Sequence, residues 1–242
     1  MKNIITIFKR ELLGYFETPV AYVFIVVFLL LSGLFTFYMG NFYENGQANL
    51  ESFFMWQPWL YLFLVPAISM RLWAEEKKSG TIELIMTLPI APWHAVLGKF
   101  SAAWAFSGIA LLLTFPIWIT VNYLGDPDNG SIFASYLGSF FVAGGFLAIG
   151  GCVSSLTRNQ VVAFVIGVTI CFLFNISGLP MVLNFFSTLG FSQTMLDTIN
   201  SLSFFGNFMD ISRGVISLAN IVYFFSIISF WLFLNVTIVD NK

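Results

Sequence analysis

The sequence predicts an all-α integral membrane protein, and its composition and long apolar segments carry that prediction. Of its 242 residues, 58% are hydrophobic and 9% are charged, and the mean hydropathy is +0.88. Soluble domains carry about 25% charged residues, so much of this apolar surface must face lipid. The apolar segments are continuous instead of alternating with polar residues, which is typical of membrane helices and not of barrel strands.

Six segments are long enough to cross a bilayer, which takes about 20 apolar residues. They cover approximately 20–40, 53–72, 95–122, 132–156, 160–184 and 217–239. None has a charged residue in its central part. Small residues recur four positions apart, for example Gly144 with Ala148, and allow helices to approach closely. We therefore expect one membrane domain of six packed helices over residues 1–242.

Basic residues predict the orientation, because they concentrate on the cytoplasmic side of membrane proteins. With the N-terminus in the cytoplasm, nine of the ten basic residues are cytoplasmic and only Arg213 is outside. The nine are Lys2, Lys9, Arg10, Arg71, Lys77, Lys78, Lys99, Arg158 and Lys242. Both termini are therefore expected in the cytoplasm. The first apolar run is too long for a cleaved signal peptide, so it is interpreted as a retained span.

The N-terminal stretch 3–16 is amphipathic. Its apolar face consists of Ile4, Ile5, Phe8, Leu12 and Tyr15. Its polar face consists of Lys2, Thr6, Lys9 and Arg10. This pattern predicts a helix lying in the headgroup layer before the first span. A plain basic anchor with no further role is an equally good interpretation.

The segment 187–216 mixes many apolar residues with Ser, Asn and Asp, so it is too polar to span and too apolar for a free loop. It predicts short helices dipping into the outer leaflet, with Gly190 and Gly206 as breaks. Asp210 and Arg213 are three residues apart and are candidates for an ion pair on one helical face.

Asn175 and Asn235 are the most polar residues inside predicted spans. Hydrogen bonding between helices is the favoured role for both, and lining a substrate route is the alternative. Cys152 and Cys171 lie in apolar runs and are expected to be buried without forming a disulfide. With His94 as the single histidine, no metal site is predicted.

Several chemistries are disfavoured by what the sequence lacks. Ion-coupled transporters place titratable residues within the bilayer, and this chain has none at that depth. A phosphate-binding loop needs Gly-x-x-x-x-Gly-Lys-Ser/Thr, but Gly98-Lys99 is followed by Phe100 and preceded by Trp93 where glycine is required. No basic patch accompanies the aromatic residues at the span ends, so nucleic-acid binding is not expected. Energy for uphill transport must then come from another polypeptide.

Segment 74–89 is a charged insert between two apolar spans. Ser79 or Thr81 is suited to capping a helix start, and Glu83 to the positive end of that helix. One apolar face is formed by Ile82, Ile85 and Met86. Pro89 ends the helix. We expect a cytoplasmic helix of about two turns that contacts a soluble partner; a solvated linker helix is the alternative.

The stretches 71–89 and 92–100 resemble the coupling region of ABC-2-type permeases. The stretches 8–12, 154–160 and 208–216 are similar to other parts of the same family, so the resemblance covers nearly the whole chain. The branch that it most resembles holds the gliding-motility-associated and copper-enzyme-maturation permeases.

The resemblance implies a six-helix permease without its own cofactor. Two cytoplasmic ABC ATPase subunits would hold ATP and Mg, and a second permease copy or a paralogue would complete the assembly, with an auxiliary membrane subunit left open. The expected location is a bacterial cytoplasmic membrane, and the expected direction is export. The residues expected to contact the ATPase are Glu75, Glu76, Ser79, Gly80, Thr81, Glu83, Leu84 and Thr87.

Two other functions stay open from the sequence. A non-transporting membrane anchor or regulator of an ATPase, for example in a surface or motility assembly, needs the same contact helix but no substrate route. A secondary transporter driven by an ion gradient is disfavoured by the uncharged membrane interior.

Overall fold

The computed structural model describes residues 2–44, 46–83 and 90–240, and within those ranges the regular structure is helical. The helices are α1 (Lys2–Glu17), α2 (Pro19–Leu34, continued by a π-helical turn Phe35–Met39), α3 (Glu51–Ser69), α4 (Arg71–Ser79), α5 (Pro92–Leu112), α6 (Phe115–Leu124), α7 (Asn129–Leu156), α8 (Gln160–Ile176), α9 (Pro180–Thr188), α10 (Gln193–Ser201), α11 (Phe204–Ser212) and α12 (Leu218–Asp240). The predicted all-α class is confirmed.

Five helical stretches of the described chain are long and apolar enough to cross a membrane, and a bent pair would make a sixth. The five are Pro19–Met39, Glu51–Ser79, Pro92–Leu124, Asn129–Leu156 and Leu218–Asp240. The bent pair joins α8 to α9 at an angle of 80°. The predicted all-α membrane domain is therefore confirmed, and the predicted number of six spans is reached when the bent pair counts as one span.

The fifth predicted span, 160–184, is wrong at its C-terminal end. Helix α8 stops at Ile176, and the chain turns before α9 starts at Pro180. Leu179 has extended backbone, with ψ 138°, as residues before a proline prefer, and Pro180 occupies the first turn of α9, where its missing amide hydrogen is not needed. Hydropathy alone does not register the break, because the residues on both sides of it are apolar.

The short helices predicted in 187–216 are present as α10 and α11. Gly190 has φ +85° and separates α9 from α10, as predicted. Gly206 is not a break: it lies inside α11, where its amide donates to Ser203 Oγ at 3.1 Å. That hydroxyl caps the helix start and makes a glycine there compatible with helix. The turn after α11 is made at Gly214, which has φ +83°.

Helix α11 is re-entrant, because it runs along α7 from the start of that helix to its middle. Ser212, at the end of α11, accepts a hydrogen bond through its carbonyl from Ser131 Oγ at 2.7 Å. At the other end of α11, the Phe204 ring packs so tightly on Gly145 that a Cβ there would overlap it. The bundle end at which α7 begins is called the α11 end below, and the opposite one the α4 end.

Helix α7 forms the centre of the bundle. Phe146, Leu147, Ala148 and Ile149 are fully buried there. A Cβ at Gly150 would overlap the Ser69 side chain of α3, so the small residue sets the distance between the two helices. This packing orients α3 and its continuation α4 relative to α7.

Candidate functional site

The α4 end contains a buried ion-pair network centred on Lys99 of α5. The Lys99 ammonium is 2.7 Å from Glu76 Oε1 of α4 and 3.2 Å from Glu11 Oε1 of α1. It also lies 5.5 Å from the centre of the Trp73 ring, within the range of a cation–π contact. Lys99 is 4% exposed. One buried cation therefore joins three helices.

Packing explains how α1 reaches this network. The Tyr15 ring stacks on Phe106 of α5 with ring centroids 5.0 Å apart, and Ile7 approaches Gly98 closely. The predicted amphipathic helix is present, but its buried side rests on α5, and Ile5, predicted on the apolar face, is 53% exposed. Glu11 lies on the buried side and so faces Lys99.

Charge neighbours set the ionisation of Glu11. Burial by itself would raise the pKa of this carboxyl group, but the Lys99 ammonium and the Arg10 guanidinium, 2.6 Å away, outweigh burial and hold the pKa below its ordinary value. The second carboxylate oxygen of Glu76, Oε2, is buried with no hydrogen-bond partner among the described residues. Glu11 is therefore neutralised by two cations, Lys99 and Arg10, whereas Glu76 bonds to Lys99 through one oxygen only.

A second set of contacts fastens α4 to the last turn of α7. Ser154 Oγ donates to Met70 O at 2.8 Å and accepts from Trp73 N at 3.1 Å and Ala74 N at 3.0 Å. One hydroxyl thus provides hydrogen-bond partners for one backbone carbonyl and two backbone amides where α3 passes into α4. Lys77 Nζ donates to Ser155 O, placing a cation at the C-terminal end of α7, where the helix dipole favours it.

The predicted contact helix 74–89 is not one helix in the structure. Helix α4 ends at Ser79, and Gly80 follows with φ +75°, a conformation that glycine adopts without strain. Residues 81–83 are helical again, and the predicted positions Leu84 and Thr87 lie outside the described residues, as does the end assigned to Pro89.

Ser79 and Thr81 both bond to the C-terminal end of α4. Ser79 Oγ donates to Glu75 O at 3.0 Å, and Thr81 Oγ1 to Glu76 O at 3.4 Å. Both hydroxyls therefore satisfy carbonyls at that end, whereas the helix that they are predicted to cap runs into residues outside the described ranges, so the capping role stays a prediction. A Ser-Gly-Thr sequence suits either role, and the sequence alone did not decide between them.

Exposure divides the predicted contact residues into two groups. Glu75, Ser79, Gly80, Thr81 and Glu83 are exposed and form what we call the α4 surface. The Glu76 side chain is only 17% exposed and bonds to Lys99, so its carboxylate points into the bundle. That these residues contact a partner protein stays a prediction.

A charged cleft of about 410 Å³ lies between α1, α4 and α5, next to the α4 surface. Its charged lining consists of Arg10, Glu11, Glu17, Arg71, Glu75, Glu76 and Lys99. Since both signs are present, the cleft is suited to salt-bridging side chains of a protein partner more than to a simple ion.

Sequence reasoning missed Glu11 and Lys99. Each is an isolated charge bordering an apolar segment, and charges in such places usually have a partner. The sequence also assigns Glu11 and Lys99 to the same side of the membrane, so it could have indicated that each pairs with an opposite charge there. It identifies candidates for pairing but not which carboxylates meet the lysine.

The remaining predicted residues lie elsewhere. Asn175 is fully buried, but neither atom of its amide has a hydrogen-bond partner among the described residues, so the favoured interhelical bond is not found. Asn235 is 3% exposed, and its Oδ1 is likewise without a partner there. Asp210 and Arg213 are both exposed, and the ion pairs of the described chain do not join them.

The long apolar helices define the class: a multi-pass membrane protein, with a network of ion pairs at its α4 end. The family model described as ABC-2 family transporter protein matches residues 5–239. The chain therefore belongs to the ABC-2 transporter family, whose members are membrane components of transporters and work with ABC ATPases, without being catalytic themselves. No curated protein sequence matches the chain.

Proposed function

We propose that the chain is the permease subunit of an ATP-driven exporter in a bacterial cytoplasmic membrane, and that the α4 surface docks its ATPase. The observation that carries the proposal is the rigid attachment of α4. Lys99, Ser154 and Lys77 fasten it to three other helices directly behind an exposed polar surface. A solvated linker would not need such an attachment.

The attachment suggests how work enters the bundle. A push on the α4 surface cannot bend α4 alone, because Glu76 is tied through Lys99 to α5 and α1, and the α3–α4 junction is tied to α7 through Ser154. The displacement is passed to α3, which ends at Ser69, directly before Met70. Packed helices move as units because interiors do not deform smoothly.

The orientation and partners are part of the proposal. In this proposal the α4 end and both termini lie in the cytoplasm, which the distribution of basic residues supports. Two ABC ATPase subunits with ATP and Mg would bind there, together with a second permease copy or a paralogue. The resemblance to the gliding-motility and copper-enzyme-maturation branch supports an auxiliary membrane subunit as a further partner.

Matched charge reversals test the docking surface. Glu75→Lys with Glu83→Lys changes two exposed acids at the α4 surface, whereas Asp197→Lys with Asp210→Lys makes the same charge change at the α11 end. Each variant is purified with the ATPase encoded beside it, and assembly and ATP turnover are measured. We expect loss of both for the first variant and wild-type values for the second. Undiminished assembly of the first variant would contradict the docking assignment.

Transport separates a permease from an anchor. Proteoliposomes containing the assembled complex are supplied with ATP, and efflux of candidate cargo classes is compared with ATPase stimulation. ATP-driven movement supports the exporter. Stimulated hydrolysis without movement of any cargo favours the anchor or regulator, and movement driven by an ion gradient without ATP favours a secondary transporter.

A further inference from the structure

A cavity at the α11 end is bordered by charges of both signs. It holds about 270 Å³ and lies between the start of α3, the start of α7 and the end of α11. Its charged lining consists of Glu51, Asp128 and Arg213. All three residues are exposed, whereas the apolar lining residues Leu50, Phe54 and Ile132 are buried. The cavity therefore has an apolar inner wall and a charged opening.

The backbone holds Arg213 beside the start of α7. Ser131 Oγ of that helix donates to Ser212 O at 2.7 Å, and a Cβ at Gly214 would lie 3.6 Å from Ser131 Cβ. Arg213 is thus between two contacts with the first turn of α7. Asp128 caps this turn, because its Oδ1 accepts from Gly130 N at 2.9 Å. The positions of the guanidinium and of one carboxylate are therefore set by the same helix start.

The charges at the cavity do not neutralise one another. The ion pairs between described residues lie at the α4 end, and none of them includes Glu51, Asp128 or Arg213. A guanidinium donates hydrogen bonds only and a carboxylate accepts them only, so both kinds of partner are offered here. A group with a single charge would be repelled by part of this lining. A zwitterion would be attracted by all of it.

The same charges lie at the depth of lipid headgroups. Glu51 is the first residue of the span Glu51–Ser79, and Asp128 directly precedes the span Asn129–Leu156. Arg213 comes five residues before the span Leu218–Asp240. Spans end where the hydrocarbon core of the bilayer gives way to its headgroups. A lipid of the surrounding leaflet therefore carries its headgroup at the level of the cavity.

We propose that the cavity binds a phosphoethanolamine group, supplied by a phospholipid of the leaflet at the α11 end. Arg213 binds the phosphate through its planar guanidinium, and Glu51 and Asp128 accept hydrogen bonds from the primary ammonium. Pockets for drug-sized ligands measure about 300–1,000 Å³, so this smaller cavity suits a headgroup. The site is at the opposite end from the α4 surface and does not depend on the proposed transport function.

Other common headgroups match the lining less well. A glycerol headgroup has no cation, so it would leave Glu51 and Asp128 unpaired and repelled by the phosphate. A choline headgroup has a cation but no N–H to donate to a carboxylate. Quaternary ammonium groups are bound by aromatic cages, and Phe54 is the single aromatic residue among the described residues that line the cavity.

Lipid retention tests the site. The full chain is reconstituted in nanodiscs that contain equal amounts of phosphatidylethanolamine, phosphatidylglycerol and phosphatidylcholine. It is then released into detergent, and the lipids that stay bound are counted by native mass spectrometry. We expect phosphatidylethanolamine to be retained at least about tenfold more than either other lipid, a difference of about 1.4 kcal/mol. Equal retention of the three lipids would overturn the proposal.

A soluble competitor distinguishes the lipid from a free metabolite of the same chemistry. Glycerophosphoethanolamine carries the headgroup without acyl chains, so it lacks the apolar contacts that hold a lipid against the spans. At equal concentration it should not displace the retained phosphatidylethanolamine. Displacement would keep phosphoethanolamine as the bound chemistry but would overturn a lipid as its source.

Matched variants assign the retention to this cavity. Arg213→Gln and Glu51→Gln should each remove the preference for phosphatidylethanolamine, a loss of about tenfold. The controls are Arg158→Gln, an exposed position at the α4 end, and Glu44→Gln, an exposed position in the loop before α3. Both controls should keep the preference. An equal loss in the controls would overturn the assignment to the cavity.

Melting temperatures separate binding from folding. In nanodiscs of phosphatidylcholine alone, Arg213→Gln and Glu51→Gln should melt with the wild type, because exposed charges without ion pairs contribute little to stability. With phosphatidylethanolamine present, the wild type should melt higher and both variants should not follow. A lower melting temperature of the variants without phosphatidylethanolamine would show that these residues support the fold, and would overturn their role as lipid ligands.

Discussion

The α4 end and the interior of the spans place polar groups inside the same bundle in opposite ways. At the α4 end, Lys99 meets two carboxylates, and a single Ser154 hydroxyl makes three hydrogen bonds to the α3–α4 junction and to α4. Among the spans, Gln57 of α3 and Asn175 of α8 make no side-chain hydrogen bond within the described chain. Bonded polar groups fix helices relative to one another, whereas unbonded ones hold no neighbouring helix in place. The contrast separates an end fastened by polar contacts, which is suited to transmitting force, from a middle held by apolar packing.

Removing the central cation should have the largest effect on the α4 end. Lys99→Met leaves the largely buried Glu76 without a cation and Glu11 with Arg10 alone, and breaking a buried pair costs about 3–5 kcal/mol. The free energy of unfolding in detergent measures the loss. Lys78→Met, at an exposed position of α4, is the matched control and should change stability by less than about 0.5 kcal/mol. Equal stability of both variants would end the claim that the network fixes these helices.

Replacing the Ser154 hydroxyl should have a smaller and more local effect. Ser154→Ala leaves the buried amides of Trp73 and Ala74 without their acceptor, at a cost of about 1–3 kcal/mol. Hydrogen exchange of these two amides should accelerate. Ser107→Ala is the control, because that buried hydroxyl donates to Ala103 O within its own helix. Unchanged exchange at Trp73 and Ala74 would show that Ser154 does not hold the junction.

Acidification should produce the smallest effect. The pKa of Glu11 is lowered from 4.5, so its contribution to stability is fully present above pH 4.5 and is lost as the pH falls through the lower value of the folded state. The stability difference between wild type and Glu11→Gln should therefore shrink below pH 4.5. Glu17→Gln, which removes an exposed carboxylate of the same helix, is the matched control. A difference independent of pH would contradict the ionised Glu11 in the network.

Hydropathy predicted the helices well because span length and apolar content are local properties of the chain. It missed the end of α8 at Ile176, where apolar residues continue but Gly178 and Pro180 interrupt the helix. The sequence also placed Glu76 among surface contacts. Which side of α4 faces inward depends on how α4 rotates against α5 and α7, and that rotation is set by packing rather than by the segment itself.

The same limit applies to the interior polar residues. The position of Asn175 in an apolar run marks it as unusual in the sequence. Whether its amide finds a hydrogen-bond partner depends on where α3 and α7 place their own polar groups, which the sequence does not show. Gln57 carried no signal in the sequence beyond being a single amide near the start of a span.

The single-residue junction at Met70 makes α3 and α4 nearly one rod of 29 residues, Glu51–Ser79. Such a rod is about 40 Å long at 1.5 Å per residue. Glu51 borders a cavity at the α11 end, and Ser79 belongs to the α4 surface at the other tip. If the rod pivots about the tight Ser69–Gly150 contact, its two tips move in opposite directions. The tip at the α4 end moves less, because it is nearer to the pivot.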